Sequence, residues 1–260
     1  MFEGEGQTIK KSGRRKALPG DYGYPADPKL LSARAREVVN RLLALYGPAQ
    51  WSRKDPLSML VDIILSHRTK DEQTAAAYAH LKARFGSWEA LRDAPTAEVE
   101  AEIAGVNWPE VKAPRLQEIM RRITAERGEL SLDFLRDLPV EQGVAWLERL
   151  PGAGPKTIAC VLLFSGRKPI LPVDTHVHRV SIRLGLIGPK VSAEAAHALL
   201  QALLPQEAQA LFNFHKSLLM HGQASLRLRA PTLPELPPDR SVQLLQYSRK
   251  AKTPRRSYIP

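Results

Sequence analysis

From Pro28 to Gly222 apolar residues return at steps of three and four and never in sustained alternation, so almost every segment able to form regular structure must form a helix. Leu57, Leu60, Val61, Ile64 and Leu65 share one face of such a helix. The same period predicts helices over 88–92, 96–104, 112–127, 140–150, 156–164, 175–184 and 193–204, and a long apolar stripe through Leu211, Phe212, Phe214, Leu218 and Leu219. Proline or glycine stands at most of the joints. Thr69 with Glu72 forms a capping-box pattern before a helix that Gly86 can end, and Gly222 reads as the stop of the last helix. Residues 230–238 contain four prolines and cannot continue a helix. The expected fold class is therefore all-α.

A chain of 260 residues suits one large domain or two modest ones. No apolar run approaches the ~18 residues that a membrane helix needs. The first six residues hold acids and glycines where a secretory signal would be basic and then apolar, so a cytoplasmic protein is expected. One cysteine, Cys160, rules out an internal disulfide framework and an all-cysteine metal site built by this chain alone. The formal charge of +11 points toward a polyanion, but its distribution weakens the inference. Residues 1–16 carry a net three positive charges and residues 249–256 carry five, leaving three for everything between. Specific motifs must carry any claim about nucleic acid.

The most informative stretch is Leu150-Pro151-Gly152-Ala153-Gly154-Pro155-Lys156-Thr157, set between two apolar helical runs. Its glycines permit a tight reversal and leave the backbone uncovered, so amide N–H groups at the start of the next helix can face a phosphate. A plain corner between helices would carry the same glycines. Lys156 stands at the positive end of that helix, where an acidic residue is the expected choice. An amine held there and partly desolvated has its charged form disfavoured, which suits a nucleophile. Asp174 before an apolar-periodic helix reads as an N-cap, and the preceding apolar run Ile170-Leu171-Pro172-Val173 suggests a buried helix start from which the carboxylate could cap and still face a cleft.

The sequence Leu-Pro-Gly-x-Gly-x-Lys-Thr, followed 18 residues after the lysine by Val-Asp-Thr-His-Val-x-Arg-Val, resembles the signature of endonuclease III. The likeness spans most of 29–222 and includes Leu65-Ser66-His67-Arg68-Thr69-Lys70-Asp71 and His221-Gly222. It implies a helix-hairpin-helix DNA glycosylase of base-excision repair with abasic-site lyase activity, having Lys156 as nucleophile and Asp174 as carboxylate partner. The implied architecture is a six-helix domain over 52–168 with the hairpin near 150–156, a second helical domain from 29–51 and 169–247, and a DNA cleft between them. Basic arms would occupy 1–28 and 248–260.

By the same resemblance Gly152, Gly154, Arg68, Val106, Asn107, His176 and Arg179 lie on the DNA side, with Val106 or Asn107 as a wedge into the duplex and His176 as structural support. Lys112, Arg115, Arg121 and Arg122 are candidates for a phosphate track, though a solvated helix face explains any one of them. The family's four cluster cysteines are absent: their spacing falls on Leu226, Leu233, Leu236 and Val242, so an apolar plug without metal or other cofactor is expected. The expected partner is damaged double-stranded DNA, met by a monomer. Oxidised pyrimidines such as thymine glycol are the first expectation for substrate. Another lesion or mismatch class, or a non-catalytic hairpin DNA binder, stands as the alternative.

Overall fold

Asp27 and Asp55 each precede a proline, and each opens a helix by accepting backbone N–H groups, from Lys29 at 2.8 Å and from Ser58 at 2.8 Å. The computed structural model describes residues 27–51 and 54–226. Those residues form α1 (Pro28–Tyr46), α2 (Pro56–Ser66), α3 (Asp71–Phe85), α4 (Trp88–Asp93), α5 (Thr96–Glu102) and α6 (Pro109–Arg127). A 3₁₀ turn (Asp133–Arg136) then leads to α7 (Val140–Leu147), α8 (Pro155–Phe164), α9 (Thr175–Arg183), α10 (Ala193–Gln201) and α11 (Ala208–Leu226). The architecture is all-α, and no described helix is long and apolar enough to cross a membrane.

Two apolar cores divide the structure into two lobes. The first runs from Leu57 to Leu162 and takes in the apolar faces of α2 to α7. The second joins Ala35, Val38 and Leu42 of α1 to Leu163, Leu171, Val177, Val180 and the α11 stripe. The division falls inside α8: Cys160, Val161 and Leu162 belong to the first core and Leu163 to the second, while Phe164 packs against both. Phe212 lies at the centre of the second core, stacked on Trp51 at 3.9 Å between ring centroids and edge-on to Phe164 at 5.9 Å. In the first lobe Gln117 is fully buried and fully used. It accepts from Thr96 Oγ1 at 2.6 Å and donates to the carbonyls of Leu91 and Ala94 at 3.0 and 2.7 Å, which fixes the α4–α5 joint.

Two sequence expectations are corrected by tertiary contacts. Gly222 does not stop a helix, because α11 continues to Leu226. A Cβ on Gly222 would lie 2.7 Å from the Cβ of His176, so the glycine is what lets α11 approach α9. Thr69 does not cap α3 either; the N-cap is Lys70 and makes no side-chain cap bond. The Thr69 hydroxyl is engaged elsewhere, as described below.

Candidate active site

Between α7 and α8 the chain reverses over Leu150 and Ala153, both buried, while Gly152 and Gly154 face outward. Gly152 has φ +80°, a conformation that costs other residues strain. The Arg115 side chain of α6 lies across it, with Cδ 2.9 Å from where a Cβ would stand, so the hairpin carries a cation supplied by another helix. Gly154 has φ −78° and ψ 174°, open to any residue, and no atom lies within 4 Å of its absent Cβ. It is the N-cap of α8 and supplies no side-chain cap. The first-turn N–H groups of α8 therefore lack the usual capping acceptor, beside an arginine.

Lys156 sits in that first turn and Asp174 is the N-cap of α9, its Oδ1 accepting from Val177 N at 2.7 Å. Leu171 and Val173 bury the approach to Asp174. Both residues stand over one buried floor. The Cys160 thiol, pushed up by burial, feels the Lys156 charge and the Asp174 charge in opposite senses. His215 feels both as well; burial holds its ring down at about 4, and its Nδ1 donates to Pro172 O at 2.9 Å, tying α11 to the strand of chain that delivers Asp174.

Two groups that sequence reasoning passed over belong here. His67 Nε2 is 3.0 Å from Thr157 Oγ1, next to Lys156, and burial together with the positive charges of Lys156, Lys112 and Arg115 pushes it down to about 4. Lys216 has its ammonium pushed down by burial, within electrostatic reach of Cys160, Asp71, Asp174 and Asp62, and its Nζ is 5.8 Å from the Phe164 ring centroid. A lysine inside the apolar stripe 211–219 was the available signal for the second; the first lies within the 65–71 stretch that carries the resemblance, and that stretch was its signal.

Two loops flank the hairpin. Arg68 and Trp108 both hold left-handed backbone, at φ +51° and +57°, and the Arg68 guanidinium lies 5.7 Å from the Trp108 ring centroid. Asn107 links the loops, its Nδ2 donating to Arg68 O and its backbone N–H to Thr69 Oγ1 at 3.2 Å. Val106, expected as a wedge, is instead buried in the first core at 4 % exposure; Trp108, at 48 %, is the apolar residue this loop presents. Lys112 is no part of a phosphate track. It is 3 % exposed and donates to Leu65 O, His67 O and Thr69 Oγ1 at 2.7, 3.0 and 2.9 Å, and burial pushes its ammonium down to about 8. His176 and Arg179 are held together, Nη2 of the arginine 3.2 Å from Nδ1 of the histidine, at the seam where His176 meets Gly222. That packing places His176 at the α9–α11 contact, with Arg179 held to it.

The residues present do not fit an iron–sulfur cluster. Cys160, the one thiol in the chain, is buried inside α8, and the positions spaced for cluster ligands are Leu226, Leu233, Leu236 and Val242, none of which carries a donor atom. Among the described residues no group of three or more His, Cys, Asp or Glu is placed to hold a metal. Apart from Leu226 at the end of α11, and Asp27 and Pro28 at the start of α1, the expected apolar plug and the basic arms lie outside the described residues.

Comparison with known proteins places this arrangement. A protein of Arabidopsis thaliana that bears a provisional DNA glycosylase name is 34% identical over 254 residues, covering 85% of each chain. Endonuclease III of Thermotoga maritima is 34% identical over 173 residues, 66% of this chain and 74% of that one. Among solved structures, a non-covalent endonuclease III–DNA complex shares the fold with a TM-score of 0.67 at 21% identity, over 85% of this chain and 97% of the other. The family model for HhH-GPD superfamily base excision DNA repair proteins matches residues 61–206, more than half of the chain. On these grounds the chain belongs to the HhH-GPD superfamily of base excision DNA repair proteins.

Proposed function

We propose that this protein is a DNA glycosylase with abasic-site lyase activity on damaged double-stranded DNA, and that its substrates are oxidised pyrimidines such as thymine glycol. The observation that carries the reading is the pairing of Lys156 and Asp174 at the starts of successive helices over a shared buried floor of Cys160 and His215. Family membership and the names of the relatives support the reaction class; the lysine supports the lyase step, which requires an amine.

In this mechanism the hairpin amides of α8, with Arg115, hold a phosphate of the damaged strand. Arg68 and Trp108 occupy the space left when the damaged nucleotide turns out of the stack. Asp174 stabilises positive charge developing on the sugar as the bond from C1′ to the base breaks and its electron pair leaves with the base, which takes a proton from solvent. Nζ of Lys156, as the free amine, bonds to C1′. The attacking nitrogen gives up a proton, the C1′–O4′ bond breaks with its electron pair going to O4′, which takes up a proton, and the nitrogen lone pair forms the C1′=N bond of the iminium. A proton then leaves C2′, its electron pair forms the C2′–C3′ double bond, and the C3′–O bond breaks with the strand's 3′ phosphate departing.

Borohydride added during turnover would reduce the iminium and trap a covalent protein–DNA adduct. Wild type is expected to trap on duplexes containing thymine glycol or an abasic site, and Lys156→Gln on neither. Trapping on the abasic duplex alone would keep the lyase chemistry and reject the oxidised-pyrimidine assignment. Unchanged trapping by Lys156→Gln, or no trapping by wild type that still binds DNA, would refute the mechanism.

A further inference from the structure

We infer that Lys112 is a positioning residue that locks Arg68 and Trp108 into one rigid element before DNA arrives; the inference rests on the DNA-repair reading above. A buried lysine without a carboxylate partner in contact is an expensive thing for a fold to keep. Here its three N–H donors are matched by three oxygens, from Leu65 at the end of α2 and from His67 and Thr69 of the following loop that carries Arg68. Lys112 itself lies in the first turn of α6, directly after the 105–108 loop that carries Trp108. One side chain therefore ties the two loops across the first lobe.

The other contacts extend this tie to the exposed tips. Thr69 Oγ1 accepts hydrogen bonds from the Lys112 ammonium and from the backbone N–H of Asn107, and donates to His67 O at 3.2 Å. Asn107 in turn donates to the carbonyl of Arg68, and Gln73 Nε2 donates to Gly105 O at 2.8 Å. Arg68 and Trp108 have the positive φ angles that non-glycine residues adopt only when surrounding contacts impose them. Those contacts converge on Lys112. Relaxing either residue would swing its side chain away from the other, so removing the tie should loosen both together. In the turn between Gly105 and the start of α6, Val106 is buried in the first core and Trp108 is left exposed.

This role predicts a loss confined to work done on a stacked duplex. A single-stranded abasic site has no stack to open, so Lys156 can react with it without the loops. In Lys112→Met, borohydride trapping on a duplex carrying a damaged base should slow by about 10-fold to 100-fold, while trapping on a single-stranded abasic oligonucleotide should slow by at least about 5-fold less, since Lys112 reaches Lys156 only through His67. Amide hydrogen exchange on the free protein supplies a readout independent of catalysis. The N–H groups of Thr69 and Asn107, which bond to Ser66 O and to Thr69 Oγ1, should exchange faster in the variant while those of α8 are unchanged. Thr69→Val, which removes only the shared hydroxyl, should reproduce the split in weaker form and serves if Lys112→Met does not fold. Equal losses on both substrates, or unaltered exchange at Thr69 and Asn107, would overturn the inference. Absence of any wild-type adduct would sink the glycosylase–lyase reading, and the exchange measurement would still decide the role of Lys112.

Discussion

Replacing each hairpin glycine by alanine separates the demands of folding from the demands of DNA. At Gly152 the φ of +80° makes a Cβ unfavourable by about 1–2 kcal/mol. The collision with Arg115 adds little, because the atom struck is partway along a flexible side chain. Gly152→Ala should therefore lose about 1–2 kcal/mol of stability. Gly154 is different in kind. Its φ of −78° suits alanine, and no atom lies within 4 Å of the new Cβ. Reduced freedom of the unfolded chain would contribute ~0.4–1 kcal/mol in favour of the variant, offset by the preference for glycine over alanine at an N-cap, also near 1 kcal/mol. Gly154→Ala should stay within about 0.5 kcal/mol of wild type. If the glycine is there so that a phosphate can reach the α8 amides, the same Cβ stands in its way. Loss of one hydrogen bond to a charged group is worth about 1.5–3 kcal/mol, or at least ~10-fold in Kd. Urea unfolding would supply the stabilities, and fluorescence anisotropy with a duplex holding an uncleavable abasic analogue at fixed salt the affinities. A Gly154→Ala protein that binds that duplex as tightly as wild type would refute the phosphate-approach argument.

Trp108→Ala should leave stability within about 0.5 kcal/mol, since the ring is 48 % exposed, yet weaken duplex binding by roughly 10-fold through the lost stacking surface, which the same two assays resolve. His67 and His215 are both held neutral down to about 4, so between that value and the ordinary 6.5 the unfolded chain binds protons that the native protein does not. Stability should rise with pH across that window and fall as acid is added, the buried His215 accounting for at most roughly 3 kcal/mol. Urea unfolding at pH 4.5 and 7.5 should show a smaller difference in His215→Gln than in wild type, and an equal difference would remove that histidine from the account. Gly222→Ala forces α11 away from His176 of α9 and should cost about 1–3 kcal/mol, read as a lowered thermal midpoint.

What could be read from the sequence was what is local. The 3.6-residue period gave α2 and α4 to α10 to within a few residues, because one apolar face per helix is written into consecutive positions. The hairpin glycines, with Lys156 and Asp174 at successive helix starts, were legible for the same reason. What failed depended on partners distant in the chain. Gly222 reads as a stop until His176, far upstream, explains its missing side chain. Thr69 reads as a cap until Lys112 and Asn107 compete for its hydroxyl, and Lys112 reads as a solvated cation until three oxygens surround it. The positive φ angles of Arg68 and Trp108 had no glycine, asparagine or aspartate to announce them.

The residues of α8 lie in both cores, and this bears on how the protein comes apart. A helix that walls two apolar interiors cannot be released by one of them alone, because melting the first lobe strips Cys160, Val161 and Leu162 of their neighbours and leaves Leu163 and Phe164 anchored to a frayed segment. The two lobes should therefore share one melting transition, and the hairpin and Lys156, at the head of that helix, should lose their order only with the whole molecule.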